Sequence, residues 1–534
     1  MKKPLRALLA AVAPVPIVAS LVLAGTASAS TQPLVAIPQN VNPAVANSAR
    51  VADLAQSSQV SFAVALKLRD EAGLNSFLAQ VSNPSSPQYH HFLTPAQFNA
   101  RYAPTASDVA SVRSFLTSHG IKVTSVSGNR DVVDAVGSAA QVEQAFATKL
   151  GVYRQNGRQF FANDSAPMLP SSVAGVVQGV VGLDNHAVRH PELMPSRTPR
   201  ASSPVGLTPT QLHSAYETTT LGTGSGQTVA LWEFDGFQTA NVTHYDNQFS
   251  LGSPTPVTVS VDGANFNSAP GGGQGEVELD IEIVQAMAKA VKTLVYEAPN
   301  SDQGEIDLAA QIASEDRVSV TSISWGSCEA ETTPSAITGT SNGFKQGVAE
   351  GITFYSASGD SGSNDCQSGA RGVDFPASDP NVSGVGGTTL RLSGGQRSSE
   401  TAWSGSGGGV SSVFATPSFQ VGSGGHRTVP DVSGDANPST GYAIFSAGQW
   451  VEFGGTSCAA PLWSGFTALH DANSGTRQGN INPALYTISH GSGYAAAFHD
   501  ITSGSNGAFR AGTGYDEVTG LGSYNGSGLN SALH

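Results

Sequence analysis

The sequence predicts an α/β protein whose main unit is a mostly parallel sheet flanked by helices, with a smaller α+β unit before it. The chain has 534 residues, which is enough for at least two domains. After residue 204, strand-like and helix-like segments alternate, as in a parallel sheet covered by helices. Before residue 190, short β-rich runs mix with helical segments instead, and a stretch rich in Pro, Arg and Ser separates the two regions.

The first 29 residues have the features of an export signal. Three cations lie within the first six residues, an apolar run covers residues 7–23, and Ala27-Ser28-Ala29 forms a small-residue cleavage site. A membrane anchor is the alternative, but two prolines interrupt the apolar run. No later apolar stretch is long enough to cross a bilayer. We therefore expect a secreted, extracellular protein that loses residues 1–29 and has no contact with the membrane afterwards.

Residues 30–200 are predicted to form a compact α+β domain. Helical periodicity covers residues 106–119 and 139–149, and β-rich runs cover residues 60–68, 123–126 and 176–181. Residues 190–204 (HPELMPSRTPRASSP) have the composition of an exposed linker that is open to proteolysis.

The second domain is predicted to span residues 201–534. Its predicted strands cover residues 227–234, 292–298, 317–325 and 352–358, and its predicted helices cover residues 276–291, 305–314 and 334–350. Because the helices connect consecutive strands, we expect a mostly parallel sheet. Glycine-rich segments such as residues 405–409 are predicted to be surface loops.

Charge is divided unevenly between the two domains. Residues 30–200 carry 13 Lys and Arg against 10 Asp and Glu, a net of +3, whereas residues 201–534 carry 10 against 30, a net of −20. The negative charge argues against nucleic acid as a partner, since phosphates would be repelled. It also suits an acidic environment, in which carboxylates protonate, although solubility alone would explain it too.

Three cysteines in an exported protein allow at most one internal disulfide. Cys328 and Cys366 each lie just past a predicted strand end, which makes them the plausible pair. Cys458 would then remain as a small buried residue.

The strongest local signal is GGTSCAAP at residues 454–461, which an apolar helix follows. A serine at a sharp turn into a helix has an accessible hydroxyl near the positive end of the helix dipole, which suits a nucleophile. The alternative for Ser457 is an ordinary N-cap serine. A nucleophilic Ser457 would need a base.

An acidic segment offers that base. GEVELDIE, at residues 275–282, places Glu276 and Asp280 four apart, so on a helix their carboxylates lie on one face and repel each other. Full solvation would relieve the repulsion, but the apolar residues between them indicate a partly buried helix, where the pair would share a proton. A carboxylate base suits acid, because a histidine of pKa about 6.5 is protonated near pH 4 whereas a Glu of about 4.3 still accepts a proton.

A third candidate follows a predicted strand directly. SGDSG, at residues 358–362, places Asp360 at the carboxyl end of that strand, where open α/β sheets build their sites. A protonated Asp360 could donate a hydrogen bond to a developing oxyanion. The simpler alternative is an aspartate that caps a turn.

Together these segments resemble the sedolisin family of serine-carboxyl peptidases, and most closely its kumamolisin-like members. GEVELD, SGDSG and GGTSCAAP occur in the family's order, and PSSPQYHHFLT at residues 84–94 looks like part of the family's activation domain. The resemblance covers nearly the whole chain. It implies a subtilisin-like catalytic domain at residues 201–534 behind an inhibitory, ferredoxin-like activation prodomain at residues 30–200.

The resemblance also implies a role for individual residues. The matched set comprises Glu276 as base, Asp280 as its acidic partner, Asp360 as oxyanion donor, Ser457 as nucleophile, and Glu233 and Trp325 as the extension of the hydrogen-bond chain that some members have. Glu233 and Trp325 would also suit ordinary strand ends.

The last part of the chain offers oxygen ligands. Asp500 in FHDIT and Asp516 in GTGYD are hard ligands that suit Ca²⁺ when loop carbonyls complete the shell, although two turn aspartates are the simpler interpretation. The family carries a calcium site with this pattern. The resemblance therefore implies one structural Ca²⁺ held by the side chains of Asp500 and Asp516 and by the carbonyls of Ile501, Gly512 and Gly514.

The sequence thus predicts a secreted, acid-active serine endopeptidase, made as a zymogen that processes itself at low pH and cleaves through an acyl-enzyme on Ser457. Its expected partners are protein or peptide substrates and its own prodomain as an intramolecular inhibitor. The rival enzyme is a histidine-dependent subtilisin relative, but none of the seven histidines of residues 201–534 lies in that family's His-Gly-Thr helix start. A secreted binding protein on an inactive peptidase scaffold is the rival of another class, which the four matched catalytic residues disfavour.

Overall fold

The computed structural model describes Met1 and residues 32–533, except residues 39, 156, 198–200, 368 and 421–423. Apart from Met1, the predicted export signal lies outside the described residues. Within the described part of the chain, no helix combines the length and the apolar character that a membrane span requires.

The first domain packs helices against an antiparallel sheet. Its elements are the strands β1 (Leu34–Ala36), β2 (Ala49–Asp53), β3 (Gln59–Leu66), β4 (Lys122–Val126), β5 (Val132–Ser138), β6 (Leu150–Gln155), β7 (Arg158–Asn163), β8 (Met168–Pro170) and β9 (Val177–Val181), and the helices α1 (Glu71–Val81), α2 (Pro95–Arg101), α3 (Ala106–Ser118), α4 (Ala139–Phe146) and α5 (Ser171–Ala174). The main sheet has the order β4-β5-β3-β9 with every pairing antiparallel. With α1–α3 after β3 and α4 after β5, this is the predicted ferredoxin-like arrangement.

All the elements predicted for this domain are present. The helix predicted over residues 139–149 is shorter and ends at Phe146, because Ala147 adopts a left-handed conformation (φ 49°) and β6 begins three residues later. Capping boxes at Thr105 and Ser138 fix the starts of α3 and α4, since each side chain and its partner three residues on satisfy free backbone N–H groups.

The second domain carries the long parallel sheet, and two short linker strands precede it. The elements are the strands β10 (His190–Pro191), β11 (Met194–Pro195), β12 (Thr228–Glu233), β13 (Val257–Ser260), β14 (Lys292–Glu297), β15 (Val320–Ile323), β16 (Trp325–Cys328), β17 (Thr353–Ala357), β18 (Asp374–Phe375), β19 (Ser383–Ser393), β20 (Gln396–Ala402), β21 (Gly409–Ala415), β22 (His426–Val429), β23 (Val432–Asp435), β24 (Tyr442–Ser446), β25 (Gln449–Gly454), β26 (Phe498–His499) and β27 (Ser523–Tyr524), and the helices α6 (Pro209–Ala215), α7 (Thr239–Phe249), α8 (Gln274–Met287), α9 (Asp302–Glu315), α10 (Pro334–Ala349), α11 (Thr456–Ser474), α12 (Asn482–Ser489), α13 (Tyr494–Ala497) and α14 (Gly526–Ala532).

The sheet order is β13-β14-β12-β15-β17-β19-β20, and β23 also pairs with β19. Every pairing in it is parallel except that of β19 with β20. The predicted helix-flanked parallel sheet is therefore confirmed. Alternate residues of β12 face opposite layers: Val229 and Leu231 pack into the core that holds α8 and α11, whereas Ala230 and Trp232 pack into the core that holds α9 and α10.

Two sequence predictions need correction. The strand predicted over residues 317–325 is divided, because β15 ends at Ile323 and β16 leaves the sheet to pair antiparallel with β10 and β18. The segment 405–409 is not a surface loop, since its residues from Ser406 onward are buried. Glycine is needed there for close packing: a Cβ on Gly407 would lie 2.1 Å from the carbonyl oxygen of Ser358.

The two domains share a continuous apolar core. Leu78 and Phe98 of the prodomain belong to the same buried cluster as Phe344 and Val348 of α10. Beside this cluster, the buried guanidinium of Arg189 lies 2.6 Å from Asp302 and 2.5 Å from Glu305 at the start of α9. The prodomain thus binds the helical face of the catalytic domain through apolar packing and a buried ion pair.

Candidate active site

Ser457 is the second residue of α11, and it is fully buried. The N-cap of this helix is Gly455, so the alternative interpretation of Ser457 as a capping serine is wrong. Gly455 has φ 103°, and a Cβ there would lie 2.2 Å from the carbonyl oxygen of Glu192 and 2.5 Å from Oδ2 of Asp360. Only glycine therefore fits this turn, which brings Ser457 to the carboxyl edge of the sheet.

The Ser457 hydroxyl donates to the carbonyl oxygen of Ser324, 3.2 Å away. The hydroxyl of Ser324 lies in turn 2.7 Å from Oδ1 of Asp280 and 3.4 Å from the carbonyl oxygen of Ser457. That carbonyl lacks its usual helical partner, because Pro461 stands four residues on and has no N–H. Ser324, which no sequence motif identified, thus links the start of α11 to α8.

Glu276 and Asp280 lie on α8, which is buried from Glu276 to Met287. Full solvation of the pair is therefore excluded. Burial raises the pKa of Glu276 well above its ordinary value, the charges of Asp280 and Glu233 add to the rise, and the neighbouring Ser457 hydroxyl opposes it. Burial also raises the pKa of Asp280 to about 8, against the hydrogen bond from Ser324. The group must therefore hold shared protons.

Glu233 and Trp325 extend this group, as the resemblance implied. The indole Nε1 of Trp325 donates to Oε2 of Glu233 over 2.8 Å, and the carboxyl of Asp280 lies near that of Glu233. Burial raises the pKa of Glu233 well above its ordinary value, and the charge of Asp280 raises it further. A buried line of polar groups therefore runs from Trp325 through Glu233 and Asp280 to Glu276, beside Ser457.

Asp360 follows the end of β17 and faces the start of α11. Its Oδ1 accepts hydrogen bonds from the N–H of Thr456 at 2.7 Å and from the Thr456 hydroxyl at 3.1 Å. These long-range bonds contradict the turn-cap alternative. Burial raises the pKa of Asp360 well above its ordinary value, with the charge of Glu192 as the next cause. Its buried Oδ2 has no hydrogen-bond partner among the described residues, which leaves a protonated Oδ2 available as a donor.

A disulfide joins Cys328, at the end of β16, to Cys366, in the loop that follows Asp360. The plausible pair from the sequence is thereby confirmed, and Cys458 remains free and buried as expected. The bond connects the strand that carries Trp325 to the loop that carries Asp360.

The linker lies across Ser457, which the sequence did not reveal. Strand β10 pairs antiparallel with β16, and β11 pairs antiparallel with β25. Between these strands, the N–H of Glu192 donates to the carbonyl oxygen of Ser324 at 3.0 Å, and the N–H of Ser457 donates to the carbonyl oxygen of Glu192 at 3.0 Å. The prediction of an exposed linker is wrong at Glu192, which is buried.

Two described histidines of the second domain have other partners. His470 lies on the same helix as Ser457 but contacts Asn530, and the ring of His213 contacts Thr218. Among the described residues, the group beside the Ser457 hydroxyl that can accept a proton is the carboxyl of Glu276.

The residues predicted to bind calcium lie close together. The N–H of Gly514 donates to both carboxylate oxygens of Asp500, at 3.1 and 3.2 Å, and the N–H of Gly512 donates to Oδ2 of Asp516 at 2.9 Å. Ile501 is buried beside them. In the described part of the chain, acidic or histidine groups of three lie elsewhere, at His190, Glu192 and Asp374 and at Asp134, Asp262 and Asp307.

Comparison with protein families assigns both domains. Residues 46–186 match the model "Pro-kumamolisin, activation domain", and residues 262–481 match the model "Subtilase family". With a serine and buried carboxyl groups at the carboxyl edge of the sheet, the fold and the site define a subtilisin-like serine peptidase that follows an activation domain.

Comparison with individual proteins identifies the family within this class of peptidases. The chain is 33% identical to kumamolisin from Bacillus sp. (strain MN-32), over 84% of this chain and 87% of that one, and 33% identical to sedolisin from Pseudomonas sp. (strain 101), over 89% and 87%. The solved structure of Pseudomonas sedolisin complexed with pseudo-iodotyrostatin superposes with a TM-score of 0.57 at 29% identity, over 62% of this chain and 98% of that one. This chain belongs to the sedolisin family of serine-carboxyl peptidases.

Proposed function

We propose that this protein is an exported, acid-active endopeptidase in which Ser457 is the nucleophile and Glu276 is the general base. The observation that carries the proposal is the buried line from Trp325 through Glu233 and Asp280 to Glu276, which ends beside the Ser457 hydroxyl. The export signal of residues 1–29 supports secretion. Because the linker continues on both sides of Ser457, the cleft accepts the middle of a chain, which supports endopeptidase action.

The chemistry follows from these positions. Ser457 attacks the substrate carbonyl carbon while its proton passes to Glu276, and the negative charge that forms on oxygen is bound by the N–H of Ser457 and by protonated Asp360. The amine leaves with the proton from Glu276. Water then attacks the acyl-enzyme, gives a proton to Glu276, and Ser457 recovers a proton from Glu276 as the acid product leaves.

The protonation states that this chemistry needs set the upper pH limit of activity. Because burial raises the pKa of Glu276, its proton must pass to a neighbouring acid before it accepts the one from Ser457, whereas Asp360 must be protonated when it donates to the oxyanion. The raised pKa of Asp360 keeps its proton in acid. As the pH rises through that pKa, Asp360 ionises, the donor is lost and a negative charge faces the developing oxyanion, so turnover declines.

We also infer one structural Ca²⁺ in the catalytic domain. The side chains of Asp500 and Asp516 and the carbonyls of Ile501, Gly512 and Gly514 would hold it, which is an all-oxygen set that suits this ion. Burial raises the pKa of Asp516, so a cation beside it would stabilise the ionised form. The bound ion would supply a cross-link between two loops and no part of the reaction.

The prodomain is proposed to act as an intramolecular inhibitor. Its linker occupies the cleft at Ser457 through backbone pairing on both sides, and its apolar face packs on α10. A substrate peptide needs the same edge of β16, so substrate and linker exclude each other. Protein or peptide substrates therefore gain access once the linker is cut and released.

A pH–rate profile on a denatured protein substrate tests the proposed function. We expect hydrolysis to be maximal below about pH 5, to persist with pepstatin, which would stop an aspartic peptidase, and to disappear in Ser457→Ala. The same variant should remain at precursor length after acidification. Maturation of Ser457→Ala without added protease, or an optimum near neutral pH, would contradict the proposal.

A further inference from the structure

We propose that Glu192–Leu193 is the first bond that the precursor cuts, and that His190 and Asp374 hold the Glu192 side chain in place for this cut. The proposal rests on the proposed function, because Ser457 must be the nucleophile. Beyond that function, the proposal names the bond at which processing begins and the two side chains that control its cleavage.

The backbone geometry selects this bond. The carbonyl oxygen of Glu192 accepts the N–H of Ser457 at 3.0 Å, which is the hydrogen bond that an oxyanion would receive. This oxygen and the unpartnered Oδ2 of Asp360 both lie within 2.5 Å of one point, the position of a Cβ on Gly455. The N–H of Ser457 therefore contacts the carbonyl oxygen of Glu192, and Oδ2 of Asp360 lies near it.

The pairing on either side fixes the register. Pro191 pairs with Trp325 of β16, and Met194 pairs with Gly454 of β25. A slip by one residue would turn the next carbonyl away from Ser457, because successive groups of an extended chain point in opposite directions. The Glu192–Leu193 bond is thus held between two anchored segments.

The side chain of Glu192 enters an acidic pocket with its own counterion. Its Oε1 lies 2.9 Å from Nε2 of His190, and Oδ2 of Asp374 lies 3.7 Å from the same nitrogen. Gly326 forms the floor, since a Cβ there would lie 3.2 Å from Oδ2 of Asp374 and 3.3 Å from Oε1 of Glu192. Asp365 and Asp360 also face this group, and burial raises the pKa of both well above the ordinary value, which favours their neutral forms.

The protonation states of His190 and Asp374 determine whether the side chain of Glu192 can be buried in this pocket. The hydrogen bond that His190 donates to Glu192 raises the pKa of His190 to about 9, and burial raises the pKa of Asp374 well above its ordinary value. His190 is therefore charged and Asp374 protonated when the linker is bound.

The proposed step is a complete hydrolysis. Ser457 Oγ bonds to the carbonyl carbon of Glu192, and the bond from that carbon to the nitrogen of Leu193 breaks, with the Ser457 proton carried by Glu276 to the new amine. Water then releases the acyl group, so one water is consumed per cut. The cut also ends the covalent link between the two domains, so the prodomain is then held by non-covalent contacts alone.

A time course of the acidified wild-type precursor tests the bond directly by intact mass and N-terminal sequencing. We expect the earliest pair of fragments to end at Glu192 and to begin at Leu193, before any trimming. An earliest pair produced at another bond would overturn the proposal. Hydrolysis of an added protein substrate, read in the same samples, shows whether the proposed function holds independently.

Variants test the role of the side-chain pocket. His190→Ala should slow the first cut by about tenfold, because Glu192 loses its counterion, and the double variant with Glu192→Gln should recover most of the rate. His91→Ala, which removes an exposed prodomain histidine, is the matched control and should match the wild type. A slowing by His190→Ala that Glu192→Gln does not relieve would overturn the role of the counterion.

Discussion

The indole nitrogen of Trp325 donates to Oε2 of Glu233 over 2.8 Å, and the backbone of the same tryptophan pairs with Pro191 of the linker. One residue therefore connects peptide recognition to the buried acids that lead to Ser457. A peptide that binds along β16 lies directly against the end of this line of acids.

Trp325→Phe tests whether the hydrogen bond to Glu233 positions the acids. The ring packing against Phe234 is kept and only the N–H is lost, so kcat should fall about tenfold with a small change in KM, as expected for one hydrogen bond of about 1.5 kcal/mol. The acid limb of the pH profile should move upward, because the N–H of Trp325 lowers the pKa of Glu233.

Trp232→Phe is the matched control for this variant. Trp232 is buried on β12, and its N–H has no hydrogen-bond partner among the described residues. Equal losses of kcat in the two variants, without a shift of either pH profile, would show that Trp325 contributes only by packing and that its hydrogen bond to Glu233 does not position the acids.

Asp360 is predicted to act as a neutral donor. Asp360→Ala should lower kcat by about 10²- to 10³-fold, as for removal of one oxyanion donor. Asp360→Asn keeps an acceptor for Thr456 and presents an amide N–H that does not titrate, so it should retain more activity and extend it to higher pH. Steady-state kinetics from pH 3 to 8 check this, and equal damage in both variants at every pH would contradict the donor role.

The buried acids also predict how stability depends on pH. Glu233, Glu276 and Asp280 have raised pKa values in the folded protein, so their contribution is fully present below the unfolded values and is lost as the pH rises through the folded ones, which for Asp280 is about 8. The urea midpoint of the Ser457→Ala precursor should therefore fall between pH 4 and pH 8. Asp280→Asn should make the midpoint depend less on pH. A midpoint of the Ser457→Ala precursor that rises with pH would contradict the stabilising role of the protonated acids.

Calcium removal gives a separate test of the loops around Asp500. Chelation should lower the thermal midpoint of the mature enzyme, since a ligand that binds only the folded state stabilises it. Asp516→Asn should have the lower midpoint already and respond no further, whereas Glu331→Gln, at an exposed carboxylate elsewhere, should respond like the wild type. An unchanged thermal midpoint, together with no calcium found by elemental analysis, would contradict the proposed calcium site at Asp500 and Asp516.

The sequence predicted those parts of the fold that follow from local pattern. Alternation of apolar strands with helices fixed the parallel sheet, and the four-residue spacing of Glu276 and Asp280 placed both carboxyls on one helix face. The GGTSCAAP turn was identifiable because glycine at position 455 is required by both its φ and its close contacts.

The rest depends on contacts between distant segments, which no local pattern encodes. Ser324 and Thr456 became recognisable only when the sheet brought them beside Asp280 and Asp360. The linker has the composition of an exposed segment, yet backbone hydrogen bonds place Glu192 at Ser457, and such bonds leave no trace in side-chain periodicity. The segment 405–409 was mistaken for a surface loop because glycine permits both exposure and very close packing.

The central claim is that Glu276 is the base, and kcat/KM of Glu276→Gln measures it most directly. The amide keeps the shape of the side chain but cannot accept the proton of Ser457, so kcat/KM should fall by about 10³-fold or more while the unfolding midpoint remains near that of the wild type. Glu278→Gln, on the same helix but bound to Asn241, is the control and should remain active. Single replacement of each of the seven histidines in residues 201–534 should leave most activity intact. Robust hydrolysis by folded Glu276→Gln, or loss of hydrolysis on replacing one of these histidines in a folded variant, would contradict the account.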